Sequence, residues 1–230
     1  MIPEKKLSVI IVAGGRGARA GGELPKQFRS VGGKPMLMRS IEAFYDYDRE
    51  IRIVVVLPEG FESYWKQLCE KHQFTLPHRL TQGGETRFHS VKNGLELIPE
   101  EETVGVHDAA RPFVTGELIG RCFDAAFTHH CGVIPVVEEV NSVRQLTDKG
   151  SRMLDRKLLR VVQTPQVFPA AALKKAYMTD YDPSFTDDAS VAEKNGVHIM
   201  LVEGEESNIK ITTAFDFIVA AQYDKLMPKR

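Results

Sequence analysis

What most limits the possible folds of this chain is an alternation. Short runs rich in valine and isoleucine, at residues 7–12, 51–57, 103–107, 133–137 and 197–202, are separated by stretches of helical character at 36–47, 61–72, 86–98, 116–129 and 187–195. A continuous β-branched run suits a strand covered on both faces. Within 86–98, Phe88, Val91, Leu95 and Ile98 fall at i, i+3, i+7 and i+10, one face of a helix. Strand–helix alternation predicts an α/β fold, a Rossmann-like, mainly parallel sheet with helices on both faces. Open sheets of that class bind ligands at the carboxyl ends of their strands. A site is therefore expected in the segments after Val12, His107 and Val202.

Residues 138–163 break the rhythm. A polar start at Glu138-Glu139 and the turn signal Asp148-Lys149-Gly150, flanked by short runs at 142–146 and 152–154, predict an antiparallel hairpin. Such an insertion is either decoration or an arm that reaches a partner. The 230 residues are expected to form one domain over 1–230 with this arm inserted in it, and a chain of that size needs no disulfide or metal to close its core. Thirty basic residues against 31 acidic ones leave a net charge of −1, which removes the polyelectrolyte basis for binding nucleic acid or a membrane surface. Cys69, Cys122 and Cys131 are odd in number and fit no metal spacing, so reduced thiols and a cytoplasmic location are expected. Lys5-Lys6 and the apolar run after them imitate a signal peptide, but the run is short and leads into glycines rather than a cleavage site. No run approaches the ~20 apolar residues of a membrane span.

The first strand runs into Ala13-Gly14-Gly15-Arg16-Gly17-Ala18-Arg19-Ala20-Gly21-Gly22. Glycines let the backbone approach a ligand and aim several N–H groups at phosphate oxygens. Gly15 to Ala20 match the dinucleotide fingerprint, but Gly21, Gly22 and Pro25 follow where that motif opens a helix. The Walker A pattern fails as well, because Glu23 follows Gly22. What remains is a longer loop closed by Leu24-Pro25-Lys26-Gln27, with Arg16, Arg19 and Lys26 available to a triphosphate. A second glycine segment, Gln82-Gly83-Gly84-Glu85-Thr86-Arg87-Phe88-His89-Ser90, exposes backbone suited to reading a base, with Arg87 and Ser90 on one face of the first helical turn. Asp108 follows a strand, where a carboxylate can take a ribose hydroxyl, help hold Mg²⁺ or pair with Arg111. No histidine or cysteine cluster of the kind zinc prefers is present.

Val12 to Arg19 followed by Pro25-Lys26-Gln27 resembles the signature of sugar-phosphate nucleotidyltransferases. His107-Asp108-Ala109-Ala110-Arg111-Pro112, Thr164-Pro165-Gln166, Thr186-Asp187-Asp188-Ala189-Ser190 and Asn208-Ile209-Lys210-Ile211-Thr212 narrow the resemblance to the 2-C-methyl-D-erythritol 4-phosphate cytidylyltransferase family, over nearly the whole chain. The resemblance implies attack of the sugar's 4-phosphate on CTP with loss of pyrophosphate. A phosphate monoester is largely dianionic at pH 7 and needs no catalytic base. The work left to the protein is to bring anions together with fixed cations and backbone donors.

By resemblance, Arg19, Lys26 and Lys210 are the catalytic cations. Ala13, Gly14, Gly15, Gly17, Gly84, Glu85, Ser90, Asp108 and Ala109 contact CTP, and Asp108 also serves Mg²⁺. Ser142, Arg156 and Thr186 bind the second substrate, and the 138–163 arm exchanges between two protomers of a homodimer. Ser142 stands where the family has threonine, and Asn141 where aspartate is usual. The nearest alternatives are a ribitol 5-phosphate cytidylyltransferase and a noncatalytic nucleotide-binding regulator.

Overall fold

The computed structural model describes residues 5–15 and 25–227. Strand β1 (Leu7–Val12) is followed by the two-residue strands β2 (Ser30–Val31) and β3 (Lys34–Pro35), helix α1 (Met36–Tyr47), β4 (Arg52–Leu57) and α2 (Glu62–Lys71). Next come β5 (Arg79–Gln82), α3 (Arg87–Leu95), β6 (Thr103–Asp108), α4 (Gly116–His129) and β7 (Gly132–Glu138). The hairpin β8 (Val143–Thr147) and β9 (Gly150–Leu154) precedes β10 (Arg160–Val162) and β11 (Gln166–Pro169). Helices α5 (Ala170–Ala176) and α6 (Asp188–Lys194), strand β12 (Ile199–Glu203) and helix α7 (Ala214–Leu226) complete the described chain.

The main sheet has the order β10-β7-β11-β6-β1-β4-β5, with β12 pairing β7. The run β6-β1-β4-β5 is parallel throughout, as is β12 with β7, while β10 and β11 run antiparallel to their neighbours. Period-2 geometry explains the two-sided burial. Val9 and Ile11 of β1 face the layer of α1, α2 and α4, and Ile10 faces the opposite layer of α3, α5 and α6. Phe88, Val91, Leu95 and Ile98 are all buried, so the face read from the sequence is the core face, although α3 ends at Leu95. Helices α4 and α6 start on side-chain caps, Thr115 accepting from the Leu118 N–H and Asp187 from the Ser190 N–H.

The predicted hairpin forms a two-stranded sheet of its own, turning at Asp148-Lys149 and apart from the main sheet. Seven further strands and helices, β2, β3, β5, β10, β11, α5 and α7, are not expected from the sequence. Strand β11 has four residues and ends in a proline, so it carries no alternating pattern, yet it inserts between β6 and β7. Helix α7 is apolar around most of its circumference and fully buries only Ala220, so no single face shows in its sequence.

Candidate active site

Where the parallel strands end, their loops enclose a cleft of about 1050 Å³. It is lined by Ala13–Gly15 after β1, Pro58 and Glu59 after β4, 83–87 after β5, Asp108 and Ala110 at and after β6, and Lys210 and Thr212 ahead of α7. Two of these loops touch backbone to backbone. A Cβ on Gly14 would lie 2.9 Å from Ser90 Oγ, and one on Gly83 would lie 3.1 Å from the Gly14 Cα. Only glycine lets the loops meet at this distance. Gln27 Nε2 donates to the carbonyls of Ala13 and, at 2.9 Å, Gly15, fixing the start of the first glycine loop. Ser90 Oγ donates to the Thr86 carbonyl at 3.0 Å and accepts from the Gly84 N–H at 3.1 Å, so it braces the second.

The floor of the cleft is electrostatic. Asp108 Oδ2 lies 2.7 Å from Lys210 Nζ and 4.0 Å from Arg111 Nε, while Oδ1 lies 3.4 Å from Arg87 Nε. Burial works against its charge, but Arg87, Lys210 and Arg111 outweigh burial and hold the carboxyl well below the usual carboxylate range. The Asp108 N–H donates to Thr164 Oγ1 at 3.1 Å. His107 Nε2 lies 3.1 Å from the Arg111 carbonyl, which can only accept, so Nε2 carries the hydrogen. Nδ1 then accepts from Thr164 Oγ1 at 3.0 Å. Burial pushes the His107 imidazole down to about 4, so it is neutral and braces Thr164 and Asp108 from behind. Lys26, in a short 3-10 turn after Pro25, donates from Nζ to the Ile211 carbonyl at 2.8 Å, which ties the first loop to the one carrying Lys210.

Of the residues expected from the sequence, Ala13, Gly14, Gly15, Lys26, Gly84, Glu85, Ser90, Asp108 and Lys210 come together around this cleft. Gly17 and Arg19, with Arg16, lie outside the described residues. Ala109 does not line the cleft. Its N–H bonds the Val12 carbonyl, extending the β6–β1 pairing, and its methyl is 1% exposed in the core, so Ala110 takes the lining position. Ser142, Arg156 and Thr186 are exposed, and none of them lines the cleft of this chain. Arg156 Nη1 instead donates to the Val140 carbonyl within the arm.

Sequence reasoning missed Pro58, Glu59 and Thr212 on the cleft wall and the bracing roles of Gln27 and Thr164. Gln27 and Thr164 have a signal, since both stand in motifs that carry the family resemblance; Pro58 and Glu59, which follow β4, belong to none of these motifs. Among the described residues, no group of three or more His, Cys, Asp or Glu side chains is placed to hold a metal, and no helix is long and apolar enough to cross a membrane.

A mainly parallel sheet whose strand ends carry glycine loops and fixed cations defines a nucleotide-handling α/β enzyme of the nucleotidyltransferase class. The model of the 2-C-methyl-D-erythritol 4-phosphate cytidylyltransferase (IspD) family matches residues 7–225. A relative of that name in Bacteroides thetaiotaomicron is 55% identical, covering 94% of this chain and 98% of its own. Another, from Caldanaerobacter subterraneus, is 38% identical over 93% and 96% of the two chains. The crystal structure of the 2-C-methyl-D-erythritol 4-phosphate cytidylyltransferase of Francisella tularensis superposes with a TM-score of 0.79 at 31% identity, covering 95% of this chain and 99% of that one. The chain belongs to the 2-C-methyl-D-erythritol 4-phosphate cytidylyltransferase family.

Proposed function

We propose that this protein transfers the cytidylyl group of CTP to 2-C-methyl-D-erythritol 4-phosphate, releasing pyrophosphate, in the synthesis of isoprenoid precursors. The observation that carries the reading is the meeting of Lys26, Lys210 and Asp108 in one cleft walled by glycine backbone. A phosphate oxygen of the sugar forms a bond to the α-phosphorus as the bond from that phosphorus to the bridging β-phosphate oxygen breaks. The nucleophile is already anionic, so the protein's part is charge placement. Lys26 and Lys210 reach the cleft from opposite ends of the sequence, and each is set to meet the triphosphate as its charge moves toward the leaving group. The 83–90 segment receives the base, its narrow glycine passage favouring a pyrimidine.

Mg²⁺ fits this donor set. It commonly takes one or two carboxylates together with substrate phosphates and keeps several waters. Asp108 is ionised, and among the described residues its Oδ1 takes the long 3.4 Å contact from Arg87, which leaves it lone-pair capacity. When bound, the ion would neutralise phosphate charge, and Asp108 is the residue to hold it.

The 138–163 arm serves a homodimer in this reading. Leu146, Met153 and Leu158 are 84%, 73% and 83% exposed, an apolar display that a second copy would cover while Ser142 and Arg156 reach its cleft. The three unpaired cysteines support a reducing, cytoplasmic setting.

Pyrophosphate release measured with CTP, UTP, ATP or GTP, with and without Mg²⁺, tests the assignment. Turnover is expected with CTP and 2-C-methyl-D-erythritol 4-phosphate and to depend on Mg²⁺. Preference for ribitol 5-phosphate would replace the acceptor, equal turnover with ATP would remove the base-pocket role, and no turnover with either polyol phosphate would leave the regulator.

A further inference from the structure

Behind the cleft lies a carboxylate that the reaction does not touch. Asp188, the first residue of α6, is 0% exposed. A buried carboxylate is costly unless fully paired, and this one is. Arg87 Nη1 donates to its Oδ1 at 3.0 Å, Arg87 Nη2 to its Oδ2 at 2.6 Å, and the Tyr177 hydroxyl to Oδ1 at 2.7 Å. The two-pronged grip takes both terminal nitrogens of Arg87 and leaves Nε facing Asp108 at 3.4 Å. Asp108 in turn holds Lys210 on its other oxygen at 2.7 Å. A chain of ionic contacts therefore runs from a buried helix start, through α3, to an ammonium whose side chain is 42% exposed at the cleft.

We propose that Asp188 is a positioning residue: by occupying the Arg87 fork it keeps that fork off Asp108 and so leaves Asp108 free to seat Lys210. The inference rests on the cytidylyl-transfer reading for Lys210. Without the Asp188 charge, the freed Nη groups of Arg87 can turn to Asp108, which the Nε of the same guanidinium already faces, and compete there with Lys210. Asp188 acts at a distance from CTP, so its loss changes the reacting arrangement more than ground-state binding. Tyr177, stacked on Phe88 at 4.7 Å between ring centres, anchors the far end of the chain to the core.

The test is a comparison of Asp188→Asn, Arg87→Lys and Tyr177→Phe, each assayed well below its melting temperature. Asp188→Asn is expected to lower kcat about tenfold while the KM for CTP stays within about threefold, the pattern of a displaced catalytic group. In a Lys210→Ala background the same substitution should add little, because both changes act through one group. Tyr177→Phe should move kcat the same way by about threefold, and it decides the matter if Asp188→Asn does not fold. A crystal structure of a folded variant gives a readout independent of turnover: Lys210 Nζ should leave hydrogen-bond distance of Asp108. Unchanged kcat with only a lower melting temperature, effects that multiply with Lys210→Ala, or Lys210 still seated on Asp108 would each overturn the proposal. Inactive wild-type enzyme would instead defeat the cytidylyl-transfer reading, and the crystal structure would still decide the role of Asp188.

Discussion

The cleft and the arm solve opposite problems with similar residues. In the cleft, Arg87, Arg111 and Lys210 converge on one carboxylate, and Asp188 returns a second negative charge from the interior. In the arm, Arg144 and Arg152 reach only across the hairpin, to Ser151 and Gln145, and apolar Leu146 and Met153 face outward. Among the described residues, the cleft's charges are paired with one another within one chain, whereas the β8–β9 hairpin of the arm forms a sheet of its own, apart from the main one. Charges in the cleft have fixed partners and few rotamers left to lose. Those of the arm are held by hydrogen bonds at the exposed surface, where they keep more of their freedom.

The sharpest way to break this contrast is at the cleft's cations. Lys26→Ala and Lys210→Ala are each expected to lower kcat by about 10²–10³, while the melting temperature moves little. Steady-state kinetics beside thermal melts check this, and near-native turnover in either variant removes that lysine's role. The next largest effect belongs to the brace beneath Asp108. His107 has a folded pKa of about 4 against about 6.5 unfolded, so the unfolded chain takes up the proton first. Its contribution is fully present above pH 6.5 and lost as the pH falls toward 4, by about 3 kcal/mol in total. Urea unfolding at pH 7 and pH 4.5 should show this loss in the native protein and a smaller one in His107→Gln; equal losses would mean the acid sensitivity lies elsewhere.

The arm is probed by mixing. Lys26→Ala chains and Arg156→Ala chains, both nearly inactive alone, should regain about a quarter of native activity after subunit exchange, because half the dimers are mixed and each mixed dimer has one intact site. Activity that stays at the level of the parents, with exchange verified, would falsify the shared site. The smallest effect is expected from Ser142→Ala, a loss of one neutral hydrogen bond worth about 1 kcal/mol, seen as a several-fold rise in the KM for the polyol phosphate. No change in that KM would detach Ser142 from the substrate.

The same contrast explains what the sequence could and could not disclose. Strands β1, β4 and β6 are covered on both faces, so burial wrote itself into runs rich in valine and isoleucine. Strand β5, Arg79-Leu80-Thr81-Gln82, sits at the sheet edge with no fully buried residue and leaves no such record. Glycine segments and lysines marked the cleft because backbone exposure and phosphate chemistry restrict residue type. The pairing of Arg87 with Asp188 is different. Its members stand 101 positions apart, and nothing local to either names the other. The placement of Ala109 in the core and Ala110 on the cleft wall is equally hidden, since it depends on where the β6–β1 pairing ends.

The bond that ties the Lys26 turn to the loop carrying Lys210 has a consequence in the order of synthesis. Lys26 reaches the carbonyl of Ile211, 185 positions later. The parallel strands β6, β1, β4 and β5 are all present once residue 108 has left the ribosome, and they can assemble while the rest is still being made. The cleft cannot, because its last wall arrives with Lys210 and Thr212. A nascent chain therefore holds the four parallel strands β6, β1, β4 and β5 early and its cleft late, after Lys210 and Thr212 have been added.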